Sequence, residues 1–396
     1  MFDRLNLDTK RFLYSTVGYA VSDILLFTFG YALIYLQTNS VIGAAVFNLA
    51  FYVTLLIAFF LNGKLLAIYS AKFLFIAGGI LQGLVMFSLY LLPPSSLWQV
   101  ATFGLIYGLP LGLYWGNRNR LYLYFTTDHN RHFFEGTRKL LTDPLMAVAP
   151  MIAGWSIVWL QNWTVVPTKI VAYQLVGVVG LVILFLSMIP LYQAKFPKLK
   201  VKIYRLPRIT KHWQLFRWFV LISSVQFALV LSLPEILTLK YLGNEGVLGT
   251  LKMVFVVLSA AMLYLLGKRT NSRSRLNILK LSAWPLILAA GLVFAFTSPA
   301  AITFYLIVMA ISDSVFWFVY FPILSHAVEQ ESNGNHELEY AYILDHEIWI
   351  NIGRAIATFG YFFVVHVWGD QQGVLLAILA GALMQLIGLN LAKKIL

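Results

Sequence analysis

Three stretches of this chain, Val41–Leu61, Phe73–Leu92 and Gly373–Ala392, run for 20 residues or more without a single Asp, Glu, Lys or Arg. A soluble helix of that length keeps one polar face for water, and these keep none. About 20 apolar residues in a helix cross the roughly 30 Å hydrocarbon core of a bilayer, where a helix satisfies its own backbone polar groups. Nine more segments fit the same template: Phe12–Leu36, Trp98–Gly116, Pro144–Leu160, Ile170–Tyr192, Trp213–Leu239, Val247–Leu266, Ile278–Phe296, Ala301–Ser325 and Tyr342–Val367. With 60% apolar and only 11% charged residues, the 396-residue chain could not cover a water-soluble surface. The expected fold class is an all-α integral membrane protein with 12 transmembrane helices.

The basic residues orient it. With the N-terminus taken as cytoplasmic and the sides alternating, 25 of the 29 Lys and Arg fall on one side, so the positive-inside rule places both termini in the cytoplasm. Lys169 and Lys240 lie toward the other side, and the loops there, such as Pro93–Ser96, are short. Residues 1–11 lead into an apolar run with no small-residue cleavage site, and are expected to open the first span, not to form a signal peptide. The net charge of +13 then reads as basic loops against an anionic leaflet, with no nucleic-acid partner. A bacterial inner membrane and a monomer are expected. The chain has no cysteine and 7 histidines, which removes disulfides and thiolate sites and leaves zinc poorly supplied; no metal or cofactor is expected.

The longest basic segment, Gln193–His212, has no acidic residue and divides the chain into six spans on each side. Residues 1–192 and 213–396 are therefore expected to form two pseudo-symmetric six-helix bundles. A shift of 204 positions lays Leu61-Asn62-Gly63-Lys64 over Leu265-Leu266-Gly267-Lys268 and Glu135 over Glu339, so the order of spans and loops repeats. On these features the chain resembles the major facilitator superfamily along its whole length. That family's loop after span two carries a Gly and, four residues on, an Asp; here Gly63 is followed by Ala67, and the basic part survives at Lys72, and again at Lys268, Arg269, Arg273 and Arg275. Ala149-Pro150-Met151-Ile152-Ala153-Gly154 is similar to a motif of exporters in the superfamily, and tips the implied direction toward export. The resemblance implies alternating access around a central cavity lined by spans one, four, seven and ten, with a contribution from eleven.

Ionisable residues inside spans cost at least about 2.5–3.5 kcal/mol each and need a partner or a hydrated cavity. Asp23 lies eleven residues into the first span, about 16 Å by helical rise; Asp313 and Arg354 are equally central in the tenth and eleventh. Two readings stand: a proton-coupling carboxylate with Arg354 holding an anionic substrate group, or a permanent Asp–Arg pair joining helices. Gln226, in span seven, joins the candidate cavity; Gln82, Asn48, Asn351 and Gln385 are further uncharged polar residues in spans. Glu235, directly after Pro234, and Lys252 would either close an outer gate or snorkel to the interface. A basic loop after span four, with Arg118 and Arg120, faces an acidic counterpart after span ten, and with Asp345 and Glu347 these would form a cytoplasmic gate or remain solvated. Gly104, Gly108, Gly112 and Gly116, four apart, form a glycine face for helix packing or for substrate passage.

The leading functional class is a secondary active transporter of a small molecule, coupled to protons. A passive facilitator or lipid flippase is the nearer alternative, and a polytopic enzyme using Asp23, Asp313 or the Asp128-His129-Arg131-His132 cluster the more distant one. An ATP-driven pump lacks its phosphate-binding loop.

Overall fold

The computed structural model describes residues 5–126, 128–196, 206, 209–230, 233–267, 274–333 and 336–396. Among them there is no strand. The helices are α1 (Leu7–Thr38), α2 (Gly43–Leu65), α3 (Ala71–Leu91), α4 (Leu97–Phe125), α5 (Asp128–Asn162), α6 (Lys169–Tyr192), α7 (Lys211–Val230), α8 (Leu233–Leu237, continued by a π-helical turn Thr238–Leu242), α9 (Glu245–Gly267), α10 (Arg275–Ala295), α11 (Pro299–Ser332) and α12 (His336–Ile395). Most of the basic linker, residues 197–205 and 207–208, and the basic run 268–273 lie outside the described residues.

Helix starts follow local chemistry. Asn6, Ser70, Ser96, Thr168 and Ser298 stand at N-caps in extended conformation, and each side-chain oxygen accepts a hydrogen bond from a backbone N–H three residues on. Asn39 and Asn333 close α1 and α11 in the left-handed conformation that Asn tolerates.

The expected spans lie mainly on helices, with Trp213–Leu239 running across residues 231–232, which are outside the described ones, and among the described residues eleven helical stretches are long and apolar enough to cross a membrane. The last of them, Ala341–Ile395, has 55 residues, about 80 Å if straight, far beyond one crossing. It is not straight. Gly369 has φ 78°, ψ 168°, outside helical space, and Gly373 packs directly on the backbone of Val365. Residues eight apart in a straight helix are about 12 Å apart, so the chain folds back at Gly369.

The segments expected as cytoplasmic loops around Arg118 and Glu329 are helical instead. Only residues 126 and 127 separate α4 from α5, and 333–335 separate α11 from α12. The helices run on as polar extensions, since nothing in Tyr122–Phe125 or Val328–Ser332 breaks them before Thr126 and Asn333 do. The Asp128-His129-Arg131-His132 cluster opens α5; its side chains lie outside what is described.

The described chain clusters in two compact units. One comprises Met1–Gly43, Val53–Val201 and Asn244–Met253; the other Ala44–Tyr52, Lys202–Gly243 and Val254–Leu396. Helices α2 and α9 thus each divide between units. The first unit is centred on stacked rings: Phe12 lies 5.3 Å from Phe125 and 5.7 Å from Phe134. There α1 and α6 pack closely at Gly18 and Ser187, and Ser22 donates to the Gly180 carbonyl at 2.7 Å. Two of the basic residues do structural work: Lys72 donates to the carbonyls of Tyr192 (3.0 Å) and Ala194 (2.6 Å), and Arg11 to that of Gln193 (3.1 Å), where the end of α6 favours cations. The second unit's core is Trp213, Phe216, Phe219, Phe227, Phe316 and Tyr320 with their aliphatic neighbours. Outside, large apolar side chains are exposed, Leu288 at 72% and Trp98 at 85% among them; such surface suits lipid, not water.

The glycine face of α4 meets α2 at two points, Gly112 on Leu55 and Ala58, and Gly116 on Asn62 and Phe59. Gly104 and Gly108 are buried. Gly112→Leu is expected to overpack this contact, a cost of about 1–3 kcal/mol or more, and to lower the unfolding temperature in detergent. Gly291→Ala, with nothing within 4 Å of an added Cβ, should instead stabilise by about 0.5–1 kcal/mol. Equal melting curves for the two variants would refute the packing role.

Candidate functional site

Two polar clusters lie deep in the helices, one in each unit. In the first, Asp23 on α1 is half-buried and accepts a hydrogen bond from Gln82 Nε2 of α3 at 3.0 Å. The same Gln82 amide reaches the hydroxyl of Tyr107 on α4 at 2.6 Å, and its Oε1 accepts from the Tyr19 hydroxyl at 2.8 Å. Tyr19 stands 3.5 Å from the Asp23 carboxylate, and its ring stacks on that of Tyr114 at 3.7 Å. Each Gln82 amide atom is committed, so the network holds the carboxylate in a fixed position. A small cleft beside it, lined by Asp23, Ser22, Gln82, Gly79 and Met86 among others, has about 10 Å³ of room, close to what one water needs.

The second cluster is unfinished. Arg354 on α12 lies with its guanidinium 5.9 Å from the ring centre of Tyr52 and 6.0 Å from that of Phe227, a cation–π arrangement. Its polar contact is a long one, Nη1 to Asn351 Oδ1 at 3.4 Å, and its Nε is buried with no hydrogen-bond partner. Asp313 on α11 lies within electrostatic reach of Arg354, yet among the described residues they form no ion pair. The permanent Asp313–Arg354 bridge is therefore not present here. Other polar groups are buried in the same unit: the Tyr52 hydroxyl, on the ring beside Arg354, makes no hydrogen bond, and the amide of Gln226, 4% exposed, and the Tyr305 hydroxyl lie within hydrogen-bonding reach of each other. Buried polar atoms are nearly always paired, because each orphan costs about 1–3 kcal/mol. Arg354, Gln226, Tyr52 and Tyr305 thus add buried polar atoms to one unit.

Along α12 the polar residues share a stripe. Glu347, Asn351, Arg354 and Thr358 follow at steps of four, three and four, and they are linked by Asn351 Nδ2 to the Glu347 carbonyl (2.7 Å) and Thr358 Oγ1 to the Arg354 carbonyl (2.8 Å).

Asp345 is engaged within its own unit, by Arg217 Nε at 2.7 Å, by a second Arg217 nitrogen and by Trp213 Nε1 at 2.7 Å. Glu347 lies 3.6 Å from His346 Nδ1. Arg118 sits over the Trp115 ring at 5.1 Å, and Arg120 is half-buried. Glu235 is buried on α8, and Lys252 is half-buried on α9.

A buried ion pair that sequence reasoning passed over joins α6 to α9. Glu245, 1% exposed at its side chain, receives Lys169 Nζ at 2.8 Å and the Tyr173 hydroxyl at 2.6 Å. The same end of α9 seats on α5: Gly154 packs on the Glu245 carbonyl, Gly246 on the Trp155 ring and Gly249 on the Pro150 carbonyl, and Trp155 Nε1 donates to Thr250 at 3.0 Å. The exporter-like Ala149–Gly154 segment is thus a docking surface for α9. Tyr19, Tyr52, Tyr107 and Tyr305 were equally unforeseen, because 21 tyrosines do not announce which of them turn inward. Spacing offered one signal: Tyr19 lies four residues before Asp23, on the same helix face.

No family profile matches the sequence. An uncharacterized protein of Bacillus subtilis (strain 168), YqgE, is 21% identical over 371 residues, 92% of this chain and 83% of that protein. Solved structures match over nearly the whole chain. The nucleoside transporter NupG aligns with a TM-score of 0.68 at 12% identity, covering 99% of each chain. A POT family transporter crystallised with 5-aminolevulinic acid gives 0.66 at 12% identity, over 98% of this chain and 96% of that one. The E. coli fucose:proton symporter FucP gives 0.58 at 17% identity, over 98% and 97%. The chain shares its fold with these solved transporters over nearly its whole length.

Proposed function

We propose that this chain is a secondary active transporter that moves a small polar molecule across the membrane by alternating access, driven by protons and working in the direction of export. The observation that carries the proposal is Arg354: a permanent cation at mid-helix, flanked by aromatic rings, with no carboxylate bound among the described residues, with its Nε and the Tyr52 hydroxyl buried and unsatisfied, and with the buried polar tips of Gln226 and Tyr305 in the same unit. A structural charge in a bilayer is neutralised by its partner; one kept unpaired is kept for a ligand. Arg354 and Gln226 would hold an anionic or hydrogen-bond-accepting group of the substrate, and Asp23 and Asp313 are the carboxylates available for protons. The shared fold with a nucleoside transporter and a fucose:proton symporter supports the class. The two bundles would be residues 1–192 and 213–396 joined by the basic linker 193–212, with both termini on the cytoplasmic side of a bacterial inner membrane and the monomer as the working unit.

Purified protein should be screened by thermal shift against nucleosides, peptides, sugars, amino acids and organic anions, and each hit tested for accumulation in vesicles under an imposed pH gradient. A stabilising polar compound whose accumulation collapses with a protonophore is the expected result. Uptake indifferent to the protonophore would replace the proposal with a passive facilitator. Movement of labelled lipid, without movement of any solute, would replace it with a flippase.

A further inference from the structure

His346, on α12, stands out as a buried titratable group with no assigned purpose. It is 4% exposed, the one histidine buried among the described residues whose side chains are placed. Its Nε2 is 2.5 Å from the hydroxyl of Tyr320 on α11. Its Nδ1 is buried and has no hydrogen-bond partner, but the carboxylate of Glu347 lies 3.6 Å away. Of the other charged groups near this place, Asp345 on α12 is bound by Arg217 and Trp213 of α7, Arg354 on α12 lies within electrostatic reach of Tyr320, and the apolar Phe216 ring of α7 packs beside the imidazole.

We propose that His346 is a proton-binding site of the transport cycle, with Tyr320 and Glu347 as the groups that register its charge. When neutral, the imidazole accepts the Tyr320 O–H at Nε2 and keeps its own hydrogen on Nδ1. Gain of one proton at Nε2 makes the imidazolium, and the Tyr320 hydroxyl turns from donor to acceptor. The new cation then faces Glu347, too far for the hydrogen bond of the neutral state yet near enough for an ion pair once the ring moves a few tenths of an ångström. The change reaches the substrate cluster along two helices. Asp313 and Tyr320 are seven residues apart on α11, and Glu347 and Arg354 seven apart on α12, two turns or about 10 Å along a common face in each case. Asp313 and Arg354, within electrostatic reach of each other, stand at one end of this ladder, Tyr320 and the His346–Glu347 pair at the other. Protonation of His346 draws the Glu347 carboxylate to it, and this redistribution of charge acts on Arg354, two turns along the same face of α12, and on Tyr320, which both Glu347 and Arg354 already influence electrostatically. The inference rests on the proton-coupled reading above.

The test needs no substrate for its first part. Histidine nitrogen-15 spectra of the full-length protein in nanodiscs, with the relevant signal identified as the one missing from His346→Gln, report protonation directly. Over a series run from about pH 5 to pH 8 the signal is expected to change with pH, and to do so at a different pH in Glu347→Gln. A signal locked in one protonation state across that range overturns the proposal, as does a midpoint indifferent to Glu347→Gln; if His346→Gln does not fold, Tyr320→Phe identifies the signal instead. In vesicles, using the compound found in the thermal-shift screen, H346Q should retain counterflow exchange and lose accumulation driven by the pH gradient; accumulation equal to the parent's also overturns it. Absence of any exchange by the unaltered protein would instead strike the transport reading, and the spectra would still decide whether His346 binds a proton.

Discussion

Replacement of Arg354 by alanine is expected to abolish transport while leaving the protein at least as stable as before. Removing the charged partner of a buried ligand group costs about 2–5 kcal/mol, which is about thirtyfold in affinity at the low end and over a thousandfold at the high end. Most buried cations could not be removed cleanly, since a carboxylate would be left behind. Here no carboxylate is ion-paired with Arg354 among the described residues, so its loss breaks no bridge, and only the longer-range influence on Asp313 is removed. Arg354→Lys should recover little, because an ammonium cannot offer the planar fork of donors or stack between Tyr52 and Phe227 in the same way. Uptake by the two variants in vesicles, beside their melting curves in detergent, is the measurement. Parental uptake by Arg354→Ala would end the substrate role, and a collapse in melting temperature would show that the residue is structural.

Lys169→Met should produce the largest loss of stability of any surface-reachable substitution. It leaves Glu245, 1% exposed at its side chain, with only the Tyr173 hydroxyl; stranding one charge of a fully buried pair costs about 3–5 kcal/mol, and the half-buried Lys169, 34% exposed at its side chain, lowers that to about 2–3 kcal/mol through solvent screening. Glu245→Gln alone should cost less, since the neutral amide still accepts from Tyr173. The double variant Lys169→Met with Glu245→Gln should regain most of the stability, because no uncompensated charge remains. Thermal unfolding of the three proteins tests this, and a double variant no better than Lys169→Met would deny that the ion pair is what holds α9 to α6. The sequence reading placed the outer pair at Glu235 and Lys252, two charges conspicuous for lying inside spans. Glu245 drew no notice because it sits at the head of α9 beside Asn244, where an acid is the ordinary choice for a helix start.

Asp23, Asp313 and Arg354 were legible as exceptions, since a charge in a run of some 20 apolar residues violates the only strong rule such a run obeys. Their company was not. Gln82 reads as one polar residue among several in spans, and Tyr107 as one of many tyrosines, until α1, α3 and α4 are packed and one amide is seen to bridge both hydroxyls to Asp23. The polar loops were misread for a related reason. Charge marks where a helix leaves lipid, but it does not mark where the helix stops.

What the sequence by itself determined was the solvent and the secondary structure. Hydrocarbon admits only backbone that bonds to itself, so apolar length dictates helices, and the lopsided placement of Lys and Arg argues for their direction. What only the tertiary structure decided was partnership: that Arg354 lies among rings and buried polar tips without an ion pair, that Lys169 is matched to Glu245, and that His346 is buried between Tyr320 and Glu347. Partners on different helices are tens to over a hundred residues apart in the chain, and the rotation of each helix about its axis, which selects them, is set by small residues and ring contacts that a hydropathy pattern nearly uniform around the helix does not encode.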